Sequence, residues 1–143
     1  MSAEENKAVI RRWVELWNTK SLDAVAEFVT PDYVRHDPNS PEIRGAVDEA
    51  QFVRTVLTAF PDFHITIDKM IAEGDTVVGR FTFRGTQRGE FSGIPPTQKQ
   101  VVFTATETFR LQGNRIAEQW VSMDTLGLLQ QLGVIPSPGQ ASS

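Results

Sequence analysis

With 143 residues the chain has the length of one domain and enough material to bury a sizeable core. It is 40% hydrophobic and 22% charged, with a formal net charge of −4. It has no basic stripe to bind nucleic acid, and its acidic balance disfavours anionic membrane surfaces. The absence of cysteine excludes disulfides, thiolate metal ligands and cysteine nucleophiles. The polar start from Met1 to Lys7 lacks the apolar run of a signal peptide, and no stretch reaches transmembrane length, so a cytoplasmic location is expected.

Ser2 followed by Glu5 is a capping-box pattern that opens a helix. Val9, Trp13, Leu16 and Trp17 then recur at i, i+4, i+7 and i+8, the spacing of one helical face. Ser21 can cap a second helix carrying Leu22, Val25 and Val29, which Pro31 ends. A short extended piece runs from Asp32 to Pro38, and Asn39 to Gly45 reads as a loop. A third helix is predicted from Val47 to Phe60, with Phe52, Val53, Val56, Leu57 and Phe60 buried. The pattern then changes to strands. Phe63 to Ala72 alternates, with Phe63, Ile65, Ile67 and Ile71 on one side, and Thr76 to Thr86 follows the Gly74-Asp75 turn. After a Gly/Pro loop reaching Gln98 come strands Val101 to Leu111 and Arg115 to Asp124, then a closing helix from Leu126 to Leu132. Residues 1–136 are read as one domain and 137–143 as a frayed tail.

Three helices followed by a meander of long antiparallel strands is an α+β pattern with segregated elements. A strongly curved sheet wrapped over the helices would make a cone-shaped α+β barrel; a flat sandwich fits the same string.

The strand from Val101 places Phe103, Ala105, Glu107, Phe109 and Leu111 on one face. Glu107 is thus a lone carboxylate in an apolar stripe, and its unpaired burial would be costly. It is either half of a structural salt bridge, with Arg80 as the candidate partner, or a functional group at a cavity wall. On the last strand Ile116, Glu118, Trp120, Ser122 and Asp124 fall on one face, so a pocket-facing Trp120 would bring Asp124 with it. Asp124 could then act as a general acid/base, its pKa raised by an apolar wall, or it could simply cap the helix that follows. A proton-shuttling role would fall on one of the two histidines: His36, the catalytic candidate alongside Asp124, precedes a proline-bounded loop that could rim a pocket, while His64 reads as a surface residue. Metal-binding, GxSxG and phosphate-binding motifs are absent. Trp13, Trp17 and Trp120 are core residues or the lining of a site for a flat ligand.

These residues form a recognisable set. Trp17-Asn18, Val34-Arg-His-Asp-Pro38, Ala59-Phe-Pro-Asp-Phe63, Ile71-Ala-Glu-Gly-Asp75, Gly89-Glu-Phe-Ser-Gly-Ile-Pro-Pro-Thr97, Ile116-Ala-Glu-Gln-Trp120 with Asp124, and Leu128-Leu-Gln-Gln-Leu-Gly133 span nearly the whole chain. The sequence resembles the SnoaL-like polyketide cyclases, within the cone-shaped superfamily that includes ketosteroid isomerase, scytalone dehydratase and limonene epoxide hydrolase. The resemblance implies a homodimeric cone with a deep apolar pocket for a small apolar organic ligand, and no metal or organic cofactor. It implies aldol-type ring closure with Asp124 as general acid/base, and His36, Trp17, Arg80, Phe103, Glu107 and Trp120 around the substrate. One departure is Gln119, where many relatives carry histidine. The remaining readings are another reaction on the same cone (isomerisation, dehydration or epoxide hydrolysis) and a non-catalytic binder of a small hydrophobic molecule.

Overall fold

A computed structural model describes residues 1–137 and residue 139. The expected tail from 137 onward therefore lies almost wholly outside the described residues. Helix α1 (Ala3–Thr19) starts with the capping box: Ser2 Oγ accepts from Glu5 N at 3.1 Å, and Ser2 N donates back to the Glu5 carboxylate at 2.9 Å. Its face of Val9, Trp13, Leu16 and Trp17 is buried as the spacing requires.

The second helix is far shorter than predicted. A 3-10 turn (Leu22–Ala24) leads into a single α-helical turn, α2 (Val25–Phe28), and strand β1 (Val29–His36) begins at once. Pro31 therefore lies inside a strand. It falls where the β1 pairing register breaks, between Val29 and Val34, so its missing N–H costs no ladder bond. The predicted loop holds a two-residue strand, β2 (Ile43–Arg44), antiparallel to β1. Helix α3 (Gly45–Ala59) follows, then β3 (His64–Glu73), β4 (Thr76–Thr86), β5 (Gln100–Gln112), β6 (Arg115–Met123) and α4 (Thr125–Leu132).

The strands form one mixed sheet in the order β2-β1-β6-β5-β4-β3, antiparallel throughout except for β1 beside β6. Helix α1 packs on β3 and β4, α3 on β1, and α4 on β5, so the helices close the concave side of a cone. A line of aromatic rings fills its interior: Phe52 against Trp17, Trp17 against Phe63, Phe63 against Phe83, and Phe83 against Phe103, with centroids 5.2–6.1 Å apart. The loop between β4 and β5 is braced from within by the buried Gln87. Its amide donates to the carbonyls of Gly89 and Ile94 and accepts from Thr97.

Two bulges move side chains to faces that simple alternation did not assign. In β3 the register shifts between Ile67 and Lys69, so Ile71, expected inside, is 60% exposed. In β6, Leu111 of β5 pairs with Ile116 and Arg110 with Glu118, which leaves Ala117 as the extra residue. The inward face consequently passes from Ile116 to Ala117, Gln119 and Val121.

Candidate active site

The bulge at Ala117 decides the site. Trp120, expected inward, is on the outer face and 40% exposed, stacked on His36 with centroids 5.6 Å apart. His36 also belongs to the outer face, its Nε2 at 2.7 Å from Glu118 Oε2 and its Nδ1 at 2.8 Å from Glu42 Oε2. Asp124 is exposed and caps α4, accepting from Gly127 N at 3.0 Å. Arg80 is exposed on the outer face of β4, so it is not the partner of Glu107. Trp17 and Phe103 are buried members of the aromatic line.

Glu107 is where the strand pattern placed it, on the inner face of β5 and 8% exposed. Its cation is Arg35 rather than Arg80. Tyr33 and Arg35 point inward from β1 by the same alternation that turns His36 outward. Gly79, opposite Glu107 in the ladder, leaves open the space that the Phe81 ring occupies; a Cβ there would meet that ring at 2.4 Å. The Arg35 guanidinium lies 4.1 Å over the Phe52 ring and 3.4 Å from the Asp37 carboxylate. Helix α3 adds Glu49, only 1% exposed, on the same face as Val53 and Val56.

A chain of hydrogen bonds joins these groups. The Tyr33 hydroxyl lies 3.1 Å from Glu49 Oε2 and 2.7 Å from Gln119 Oε1, and Gln119 Nε2 donates to Glu107 Oε1. Burial raises all three titratable members. Glu49 is pushed up to about 7, with desolvation outweighing the attraction of Arg35. Desolvation likewise raises Glu107 against Arg35 and the Gln119 hydrogen bond, and it holds the Tyr33 phenol well above its ordinary value.

An open pocket of about 370 Å³ is lined by His36, Asp37, Pro38, Glu42, Trp120 and Val121. Two of these lining residues connect to the buried cluster: Val121 is the ladder partner of Glu107, and Asp37 pairs with Arg35. Of the residues expected from sequence, the structure brings His36 and Trp120 to the pocket, and Glu107 lies on the inner face of the sheet, paired in the ladder with Val121. Asp124, Arg80, Trp17 and Phe103 are elsewhere. The sequence reading missed Tyr33, Arg35, Asp37, Glu49 and Gln119. Their signal was present: Tyr33, Arg35 and Asp37 alternate, and Glu49 precedes Val53 and Val56 at i+4 and i+7. Among the described residues no group of three or more histidines and carboxylates is arranged to hold a metal ion, and no helix is long and apolar enough to cross a membrane.

Four helices packed on a six-stranded mixed sheet define the α+β cone architecture. The sequence profile of the SnoaL-like polyketide cyclases matches residues 7–132, and the chain belongs to that family. It is 28% identical to the aklanonic acid methyl ester cyclase DnrD of Streptomyces peucetius over 128 residues, which cover 87% of this chain and 88% of that one. Among solved structures, AclR of Streptomyces galilaeus, provisionally assigned as a hydroxylase, superimposes with a TM-score of 0.83 at 30% identity, covering 94% of this chain and all 100% of its own. TsrD of Streptomyces laurentii superimposes with a TM-score of 0.85 at 25% identity, covering 94% of this chain and 99% of its own.

Proposed function

We propose that the protein is a cofactor-free acid/base enzyme that closes a ring on a small carbonyl compound by an aldol-type reaction, with Glu107 as the acid/base. The observation that carries this reading is Glu107 itself. It is a buried carboxyl of raised pKa, directly across the ladder from the pocket-lining Val121 and beside the cation Arg35. A carboxyl displaced towards neutrality takes and returns protons efficiently at working pH. Family membership and the cyclase activity named for the relative DnrD support the reaction class.

In the proposed sequence the Glu107 carboxylate takes a proton from a carbon flanked by carbonyls. The electron pair left behind delocalises into an enolate whose oxygen faces the Arg35 guanidinium. The enolate carbon attacks a second carbonyl, and the alkoxide formed takes the proton back from Glu107. Asp124, which the family resemblance put in this role, caps α4 in this structure, and we assign the role to Glu107 instead.

The test is proton exchange at the acidic carbon, followed by NMR in deuterated water, on a panel of aromatic β-dicarbonyl compounds beginning with aklanonic acid methyl ester. Glu107→Gln is expected to slow exchange about 10²- to 10⁴-fold while ligand still binds. Asp124→Asn should leave the rate within a few-fold. Full activity in Glu107→Gln, or its loss in a folded Asp124→Asn, sinks the proposal. Binding of the panel with no exchange in the unmodified protein points instead to a non-catalytic binder.

A further inference from the structure

The hydrogen-bond chain through Tyr33 and Gln119 contains a proton count that the mechanism above does not use. Four groups meet at three contacts: Glu49 with Tyr33, Tyr33 with Gln119, and Gln119 with Glu107. The phenol has one proton for two oxygen neighbours, and the amide has one donating and one accepting end. If Gln119 turns its nitrogen to Glu107, its oxygen faces Tyr33 and the phenol must donate to it. The Tyr33 oxygen can then only accept from Glu49, and Glu49 must hold a proton. If the amide is turned about, Tyr33 donates to an ionised Glu49, but the Gln119 oxygen then faces Glu107, which must hold the proton instead. With both carboxyls ionised, one contact always sets two acceptors against each other.

We infer that Glu49 and Glu107 are a coupled carboxyl pair that retains one proton between them, with Tyr33 and Gln119 transmitting the protonation state of one to the other. A second feature agrees. Glu49 Oε1 has no hydrogen-bond partner among the described residues, which a neutral carboxyl tolerates far better than a buried carboxylate does. The charged and titratable groups that face the pair are Arg35 and Tyr33 from β1 and Asp37 just beyond it. Arg35 attracts both carboxyls and so favours the singly ionised pair. Asp37 opposes ionisation of Glu107. Glu49 and Tyr33 are thus positioning residues. They hold the Gln119 amide so that its nitrogen is presented to Glu107 while Glu107 is ionised and ready to accept a proton. The catalytic consequence rests on the proposed role of Glu107; the coupling does not.

The experiment is a titration of the glutamate side-chain carboxyl carbons by NMR on the free, full-length protein, with the variants serving for assignment. In the unmodified protein the Glu49 and Glu107 resonances should both move in the same two pH steps. Glu49→Gln supplies a permanent donor to Tyr33, so the Glu107 midpoint should fall by more than about one pH unit. Against a Tyr33→Phe background the same substitution should move it much less, because only the through-space charge effect survives. Independent single steps in the unmodified protein overturn the inference, and so does an equal shift with and without the Tyr33 hydroxyl. If Tyr33→Phe fails to fold, the shared steps of the unmodified protein alone decide. In the exchange assay the acid limb of the pH profile should move down with Glu107 in Glu49→Gln. Unimpaired exchange in Glu107→Gln would remove the functional reading while the titration result stands.

Discussion

On the outer face of the β1–β6 pair, Glu118 sits in a charged row that runs from Arg44 through Glu42 and His36 to Glu118 and Arg110. On the inner face, one residue further along β6, Gln119 joins a row of similar chemistry: Glu49, Tyr33, Glu107 and Arg35. The two rows treat their carboxyls in opposite ways. The hydrogen bond with His36 and the nearby Arg110 hold Glu118 below the usual carboxylate range, since water already solvates its charge and the partners only add to it. Inside, a single guanidinium cannot replace the water that Glu49 and Glu107 have lost, and both are raised. Each face supplies an arginine and hydrogen bonds to its carboxyls, and the loss of solvent on the inner face reverses the sign. A carboxyl poised to exchange protons is therefore to be sought on the inner row, and substitutions on the two faces should differ in size and in pH dependence.

The largest effect is expected at Arg35. Arg35→Met removes the cation that faces Asp37, Glu49 and Glu107 and leaves buried carboxyls uncompensated, at a cost of about 3–5 kcal/mol at neutral pH. The loss should shrink in acid as the carboxyls take up protons. Urea denaturation across the acid-to-neutral range checks both statements. A loss independent of pH would mean that Arg35 acts through its packing on Phe52 rather than through charge.

Glu49 comes next. Its folded-state value of about 7 lies above the ordinary 4.5, so the folded protein binds more protons than the unfolded chain between those values. The stabilisation is fully present below about 4.5 and is lost as pH rises through 7, an amount on the order of 3 kcal/mol. Glu49→Gln cannot titrate and should flatten this part of the stability profile, overtaking the unmodified protein above neutrality. Glu107 acts in the same direction, so a residual slope should survive in Glu49→Gln and disappear in the double variant.

The inner row also shows where a sequence reading stops. Periodicity located the capping box, the buried face of α1 and the inward stripe of β5 with Glu107 in it, because each depends on neighbours three, four or two positions away. The site depends on contacts across 16 to 86 residues, such as Tyr33 with Glu49 and with Gln119. The error at Trp120 has a definite origin. Alternation was carried from Ile116, which is indeed buried, through Ala117, where the bulge adds a residue and exchanges the two faces. A strand pattern has no mark for such a bulge, and the parallel pairing of β1 with β6 that sets Tyr33 beside Gln119 has no local signature either. Asp124 was legible in both its possible roles, and the structure shows its side chain accepting from Gly127 N as a cap.

The smallest effect should come from the outer row, where the comparison can be tested most sharply. Glu118→Gln takes a carboxylate from the neighbourhood of His36 and Arg110, both partly in water. An exposed ion pair contributes about 0–1 kcal/mol, so the loss at neutral pH should stay below about 1 kcal/mol and fade with added salt. Because the folded-state pKa of Glu118 is lowered, its contribution is present above the unfolded value and lost as pH falls, the reverse of Glu49. As pH rises, the stability profiles of Glu118→Gln and Glu49→Gln should therefore depart from the unmodified protein in opposite directions, the first below it and the second above it. Departure in the same direction would mean that the outer row is desolvated in solution, as it would be if a second copy of the chain covered the Trp120 face, and its effect should then grow with protein concentration.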